Sequence, residues 1–324
     1  YSLLEGALPL GKILDLAAKD GQPAVGIADT NNLFGALEFS EKAVSKGIQP
    51  ITGCELAIDF GGEEEKPNER ANFGKGVVVL IAMTEEGFSN LSTLVSRAYL
   101  EGSDGKTAAH IDWFDRAADG LICLTGGPEG AIDPFLAAGL DAAAEKRLLR
   151  LHDLFGDRLY VEIQRHVRPV ENAVEPRLID LAYRHNLPLV ATNEPYFPAQ
   201  DDFDSHDALL AIAAGSVVAQ TERRRLSDQH WFKSRTEMIA LFSDLPEAIE
   251  NTVEIARRVS YRPRTLDPIL PRFAAVPDQI EADAVAAEAE ELTRQAEEGL
   301  ENRIKAFGIA PDTTEEQYRA RLAF

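Results

Sequence analysis

The strongest constraint in this sequence is an alternation of short, continuous apolar runs with amphipathic stretches of helical period. Leu10 to Lys19 places Leu10, Ile13, Leu14 and Ala17 at helical spacing, and a turn at Gly21-Gln-Pro23 leads into the apolar run Ala24 to Ala28. A helix from Phe34 to Lys46 stops at Gly47, where a C-cap glycine belongs, ahead of a strand from Gln49 to Ile58. An acidic loop, Gly61 to Arg70, precedes a buried strand at Gly76 to Ala82. Helix Glu86 to Tyr99 follows, then strand Gly120 to Thr125, closed by Gly126-Gly127. Helix Asp141 to Phe155, strand Leu159 to Ile163, helix Glu171 to His185 and strand Leu187 to Thr192 continue the pattern. Six or seven apolar strands divided by helices predict repeated βαβ units with parallel pairing, in a barrel or an open doubly wound sheet.

Beyond Thr192 the character changes. Ser205 to Arg258 reads as mostly helical, and Tyr261 to Pro268 as a proline-rich connector. A highly charged helix from Gln279 to Lys305 comes next, then Thr314 to Phe324, which reads as the beginning of a further domain. The expected division is an α/β domain over 1–262 and a helical connector over 263–324.

Charge bears on what the chain can bind. Lys and Arg number 33 against 54 Asp and Glu, a formal net charge of −21. A field of that sign repels phosphate backbones, so this segment is not expected to be a main grip on DNA. Arg223, Arg224 and Arg225, then Arg257, Arg258, Arg262 and Arg264, are local exceptions that read as solvated helix faces and loop ends. No apolar run is long enough to span a membrane, and Tyr1 to Leu10 lacks a signal-peptide pattern. Cys54 and Cys123 each sit inside an apolar run, so the expectation is buried thiols in a reducing cytoplasm.

In parallel α/β folds chemistry gathers at the carboxyl ends of strands. Those ends hold Asp29, Glu55, Glu162 to His166, Asn193 and Glu194. Carboxylates and imidazoles together suit Zn, Mn or Mg, but any acidic protein places some carboxylates there. The six histidines, His110, His152, His166, His185, His206 and His230, share no His-x-His or His-x-x-x-His spacing. There is no Walker loop, no G-x-G-x-x-G and no G-x-S-x-G. Gly126-Gly-Pro-Glu-Gly130 reads as a strand-to-helix turn.

Several ordered blocks are more specific: Tyr1-Ser-Leu-Leu-Glu-Gly-Ala7, Gly26-Ile-Ala-Asp-Thr-Asn-Asn-Leu-Phe-Gly35 and Gly47-Ile-Gln-Pro-Ile-Thr-Gly-Cys-Glu55. Glu86-Gly-Phe-Ser-Asn-Leu91, Gly120-Leu-Ile-Cys-Leu-Thr-Gly-Gly127, Leu189-Val-Ala-Thr-Asn-Glu194, Asp204-Ser-His-Asp-Ala-Leu-Leu and Leu270-Pro-Arg-Phe273 follow in order. Together they resemble the N-terminal polymerase-and-histidinol-phosphatase (PHP) domain of the alpha subunit of bacterial DNA polymerase III, over nearly the whole chain. The resemblance implies a distorted seven-stranded β/α barrel, followed by a helical connector toward a polymerase core. Active relatives of that domain hold metal ions with histidines and carboxylates and hydrolyse phosphoesters.

Carried over position by position, the resemblance implies a remnant metal site of Glu5, Asp29, Glu55, His166 and Glu194. A leading His-x-His pair would lie before Tyr1. Thr30, Val77 and Tyr196 stand at histidine places and Arg165 at an acidic one. Valine has no donor atom, and threonine and neutral tyrosine are poor ligands for such metals. Arg165 would add a positive charge beside the cluster, and the surviving acids would be held by Arg165 or other basic residues. No intact metal cluster is therefore expected, and at most one residual Zn, Mn or Mg.

The leading expectation is a non-catalytic scaffold that braces the polymerase core and docks the proofreading exonuclease and other replicase subunits. DNA would be met through polymerase domains elsewhere in the parent protein. Polymerisation needs paired carboxylates for two Mg ions, and the family's catalytic aspartate motif does not occur in this sequence. The alternatives are a metal-dependent phosphoesterase or 3′–5′ exonuclease with a rearranged site and, more weakly, a barrel hydrolase of the amidohydrolase kind.

Overall fold

A computed structural model of the chain describes residues 4–61, 75–102, 107–220, 222–268 and 281–322, the last without the side chains of 281–284. The acidic loop expected over Gly61 to Arg70 lies, but for Gly61, outside the described residues, as does Leu270 to Phe273. Two compact units are found, Tyr1–Thr265 and Leu266–Phe324. Among its described residues the second contains two helices, Glu281–Phe307 and Glu315–Leu322.

In the first unit the strands are β1 (Ala24–Thr30), β2 (Gln49–Asp59), β3 (Lys75–Ala82), β4 (Ala109–His110), β5 (Leu121–Leu124), β6 (Leu159–Gln164) and β7 (Leu189–Thr192). The helices are α1 (Leu10–Asp20), α2 (Ala36–Ser45), α3 (Glu85–Leu100), α4 (Phe114–Ala117), α5 (Asp133–Ala137), α6 (Asp141–Phe155), α7 (Pro169–Arg184), α8 (Phe203–Ala213), α9 (Arg235–Leu241) and α10 (Pro246–Arg258). Their ends follow local chemistry. Gly21 closes α1 in the left-handed conformation at φ 68°, which a residue without Cβ adopts freely. Thr84 caps α3 by accepting from the Gly87 N–H, and Ser234 with Glu237 forms a capping box on α9.

The sheet has seven strands in the order β1-β2-β3-β5-β6-β7, with β4 pairing β2 alone. The sheet curls, and among the described residues no pairing joins β7 back to β1. The expected uniform parallel pairing is corrected at β3, which runs antiparallel to both β2 and β5. β3 thus reverses direction, starting at Lys75 opposite Asp59 at the end of β2. The reversal brings the amino end of β3 to the edge where the other strands end.

Alternation along each strand sorts side chains onto two faces. Cys54, Leu56, Ile58, Val78, Leu80, Cys123, Val161, Ile163 and Leu189 face outward into the main core with the surrounding helices. Ile51, Ile81, Ile122, Leu124, Tyr160 and Val190 face inward, and Ile255 and Val259, at the end of α10, pack among them. Both cysteines are free and buried, as expected, and burial pushes their thiols up, Cys54 to about 12. Among the described residues no helix is long and apolar enough to cross a membrane.

Candidate functional site

Beyond the inner apolar layer, at the strand ends, the inward positions turn acidic. Register decides which residues arrive there. On β1 and β2, Thr30 lies opposite Glu55 and Asp29 opposite Cys54. Thr30 and Glu55 therefore share the inner face, whereas Asp29 has the parity of Val25 and Ile27, which pack against α1 and α2. The structure thus separates Asp29 from Glu55 by strand face. Val77, at a place where a histidine was expected, has the inner parity of Val79 and Ile81 and bridges to Gly130.

The inner acids are each engaged by hydrogen-bond donors. Thr30 Oγ1 donates to Glu55 Oε1 at 3.3 Å, and Tyr196 Oη donates to Glu194 Oε1 at 2.5 Å. Glu162, 3% exposed, accepts from the Gly126 N–H at 2.9 Å, from Gln164 Nε2 at 3.2 Å and from the Thr192 hydroxyl. Gly126 sits at φ 89°, and a Cβ there would meet the Val77 carbonyl oxygen at 2.3 Å. Only glycine lets this N–H reach Glu162 while the backbones of β3 and the turn close against each other.

Electrostatics agree with a crowded acid cluster. Burial first, then Glu194, Glu162 and Glu129, push Glu55 up to about 7 against the pull of the Thr30 hydrogen bond. Burial likewise raises Glu162 and Glu194, the latter despite the Tyr196 hydroxyl. The Tyr196 hydroxyl is itself pushed far up by burial and by Glu194.

His166, 1% exposed, lies deeper, and both its ring nitrogens are occupied. Nε2 faces the Asn193 carbonyl at 2.6 Å and must donate to it, while Nδ1 is 3.0 Å from Glu171 Oε1. Burial alone would raise Glu171, but hydrogen bonds from the His166 ring and backbone outweigh it and hold that carboxyl below its usual range. The Glu171 carboxyl and the Asn193 carbonyl thus occupy both ring nitrogens, away from the mouth. The His166 ring stacks on that of His230 at 3.7 Å, and burial followed by His166 holds His230 at about 3.

Arg165 does not sit beside the cluster, contrary to expectation. It lies on the outer side of β6, where its guanidinium pairs with Glu175 at 2.5 Å and Asp244 at 2.6 Å and covers the Phe242 ring. A basic residue beside the mouth is Arg224, whose Nη1 pairs with Glu5. Nor are all three of the arginines at 223–225 solvated. Arg223 forms a two-pronged pair with Asp207, at 2.7 and 2.5 Å, with side chains 3% and 4% exposed.

The donor set does not fit a divalent ion. Val77 offers no atom, Thr30 and Tyr196 spend their hydroxyls on carboxylates, and both His166 ring nitrogens face protein oxygens. Among the described residues no group of three or more His, Cys, Asp or Glu is arranged to hold a metal. Of the expected set, Glu55 and Glu194 converge at the mouth. Glu5 stands over it on a separate segment, Asp29 lies on the other strand face, and His166 is sealed behind Asn193. Sequence reasoning named Glu162 among the strand-end residues but left it out of the implied metal set, and read Arg224 as a solvated face or loop end. An acid at an inward position of the apolar run Leu159 to Ile163 was the available signal for the first.

A family model for the PHP domain matches residues 1–166. The chain belongs to the PHP-domain family. This PHP chain is 45% identical over 327 residues to DNA polymerase III subunit alpha of Caulobacter vibrioides (strain NA1000 / CB15N), covering 100% of this chain and 27% of that protein. It is 38% identical over 331 residues to the same subunit of Rickettsia bellii (strain RML369-C), covering 100% and 27%. With the subunit of Pseudomonas aeruginosa (strain PAO1) the identity is 35% over 324 residues, covering 99% and 26%. The PHP chain therefore spans about a quarter of the length of these relatives.

Proposed function

We propose that this chain is the PHP domain of a replicative DNA polymerase III alpha subunit and works there as a non-hydrolytic scaffold. The observation that carries the reading is the rewiring of the inner acids. Residues at two histidine places, Thr30 and Tyr196, donate hydrogen bonds to Glu55 and Glu194. Metal-dependent phosphoester hydrolysis needs open coordination positions and an ion to activate water. A mouth whose Glu55, Glu162 and Glu194 carboxylates already accept from protein donors supplies neither.

In this reading the domain braces the polymerase core, docks the proofreading exonuclease subunit and works in the cytoplasm as part of a replicase. DNA synthesis and contact with DNA belong to other parts of the parent protein, in keeping with the charge of −21 on this segment. Gel filtration of the chain with the exonuclease subunit of the same replicase tests the docking. A stoichiometric complex is expected, and separate elution at micromolar concentrations would contradict it. A second reading, a metal-dependent phosphoesterase or 3′–5′ exonuclease, draws on the convergence of Glu55, Glu129, Glu162 and Glu194. Any such activity would be abolished by chelator.

A further inference from the structure

We infer that Arg224 is a resident cation of the acidic mouth, a guanidinium fastened beside its carboxylates. The inference rests on the non-hydrolytic reading and deepens it. Its support is the way two distant segments are brought together. Glu5 and Arg224 are 219 residues apart, yet their side chains pair. Adjacent residues of α8 hold both partners. His206 Nε2 donates to the Glu5 carbonyl at 2.7 Å, and Asp207 takes Arg223 in the two-pronged pair and Arg225 at 3.4 Å. With Arg223 and Arg225 tied to one carboxylate, Arg224 between them pairs with Glu5.

The segment from Glu5 to Ala7 is tied to the same region. The Ala7 N–H donates to the Tyr196 carbonyl at 2.8 Å, so the segment carrying Glu5 runs beside the residue that bonds Glu194. The Tyr196 ring in turn packs 5.6 Å from that of His206. Burial would lower Arg224, but Glu5, then Tyr196 and Glu129, outweigh it, and the Arg224 charge is felt at Glu194. A guanidinium is always charged, offers donors in a planar fork and needs no coordination shell. It can therefore offset clustered carboxylates in a site that has lost its histidines.

A double-mutant cycle in thermal unfolding at about pH 8.5, where exposed carboxyls are ionised, tests this. The four proteins are the wild type, Arg224→Ala, Glu194→Gln and the double variant, with Arg224→Lys as the charge-keeping control. Arg224→Ala is expected to lower the melting temperature by about 2–6 °C, and Arg224→Lys by less. Glu194→Gln is expected to raise the melting temperature in the Arg224→Ala background and not in the wild type, because only there is the acid left without its counter-ion. Equal effects of Glu194→Gln in both backgrounds would overturn the inference and leave Arg224 a surface partner of Glu5. If Arg224→Ala does not fold, the double variant decides: folding supports the inference, and failure to fold overturns it. The wild type alone, melted with and without ~1 mM MnCl2, reports on the reading beneath. No shift is expected there, and a saturable rise would overturn both the inference and the non-hydrolytic reading.

Discussion

The Tyr196 hydroxyl donates to Glu194 Oε1 at 2.5 Å, so a residue at a histidine place caps the acid two positions before it instead of sharing a metal with it. Tyr196→Phe removes this donor and leaves a half-buried carboxylate short of a partner. The expected cost is about 1–3 kcal/mol, read as a lower urea midpoint with an unchanged slope. Glu194→Gln/Tyr196→Phe is expected to recover part of the loss.

Glu55 sets a pH dependence of known sign. Its folded value, about 7, lies above the ordinary 4.5, so the folded state holds its proton more tightly than the unfolded chain does. That contribution is fully present below the unfolded value and is lost as pH rises through the folded one. Urea unfolding between about pH 5 and pH 8 is therefore expected to show stability falling with pH by up to about 3 kcal/mol through this group. Glu55→Gln is expected to flatten that slope. An unchanged slope would mean that Glu55 titrates normally.

Arg165 is expected to matter for stability and not for the mouth. It binds Glu175, Asp244 and the Leu241 carbonyl and covers Phe242. Arg165→Ala is expected to cost about 1–2 kcal/mol in urea unfolding, since Asp244 is largely exposed. The pH slope assigned to Glu55 is expected to survive that substitution.

Glu171 fixes His166 from two sides, accepting from its ring and its backbone N–H. Glu171→Gln keeps the size but not the charge. It is expected to destabilise by about 1–3 kcal/mol, as weakening a buried acceptor does. An effect below ~0.5 kcal/mol would show that the His166 ring is held by Asn193 alone.

Much of the fold was legible in the sequence because every buried strand is a continuous apolar run and helices separate most of them. The antiparallel course of β3 was not, since an apolar run such as Gly76 to Ala82 reads the same in either direction. The site was legible in part. Glu55 and Glu194 stand at strand ends, where acids attract notice, but only register shows that Thr30 and not Asp29 shares the face of Glu55. Arg165 was adjacent in sequence and pointed outward, whereas Arg224 was far away and arrived through α8. Contacts of that range have no local signature.

The central claim is that the acidic mouth has exchanged metal for hydrogen bonds and a guanidinium. Elemental analysis of the purified chain for Zn, Mn and Fe, run beside p-nitrophenyl phosphate hydrolysis with added Mn or Zn, tests it most directly. The account predicts metal far below one ion per chain and no turnover above buffer. Stoichiometric metal, with turnover lost in Glu194→Ala, would contradict it.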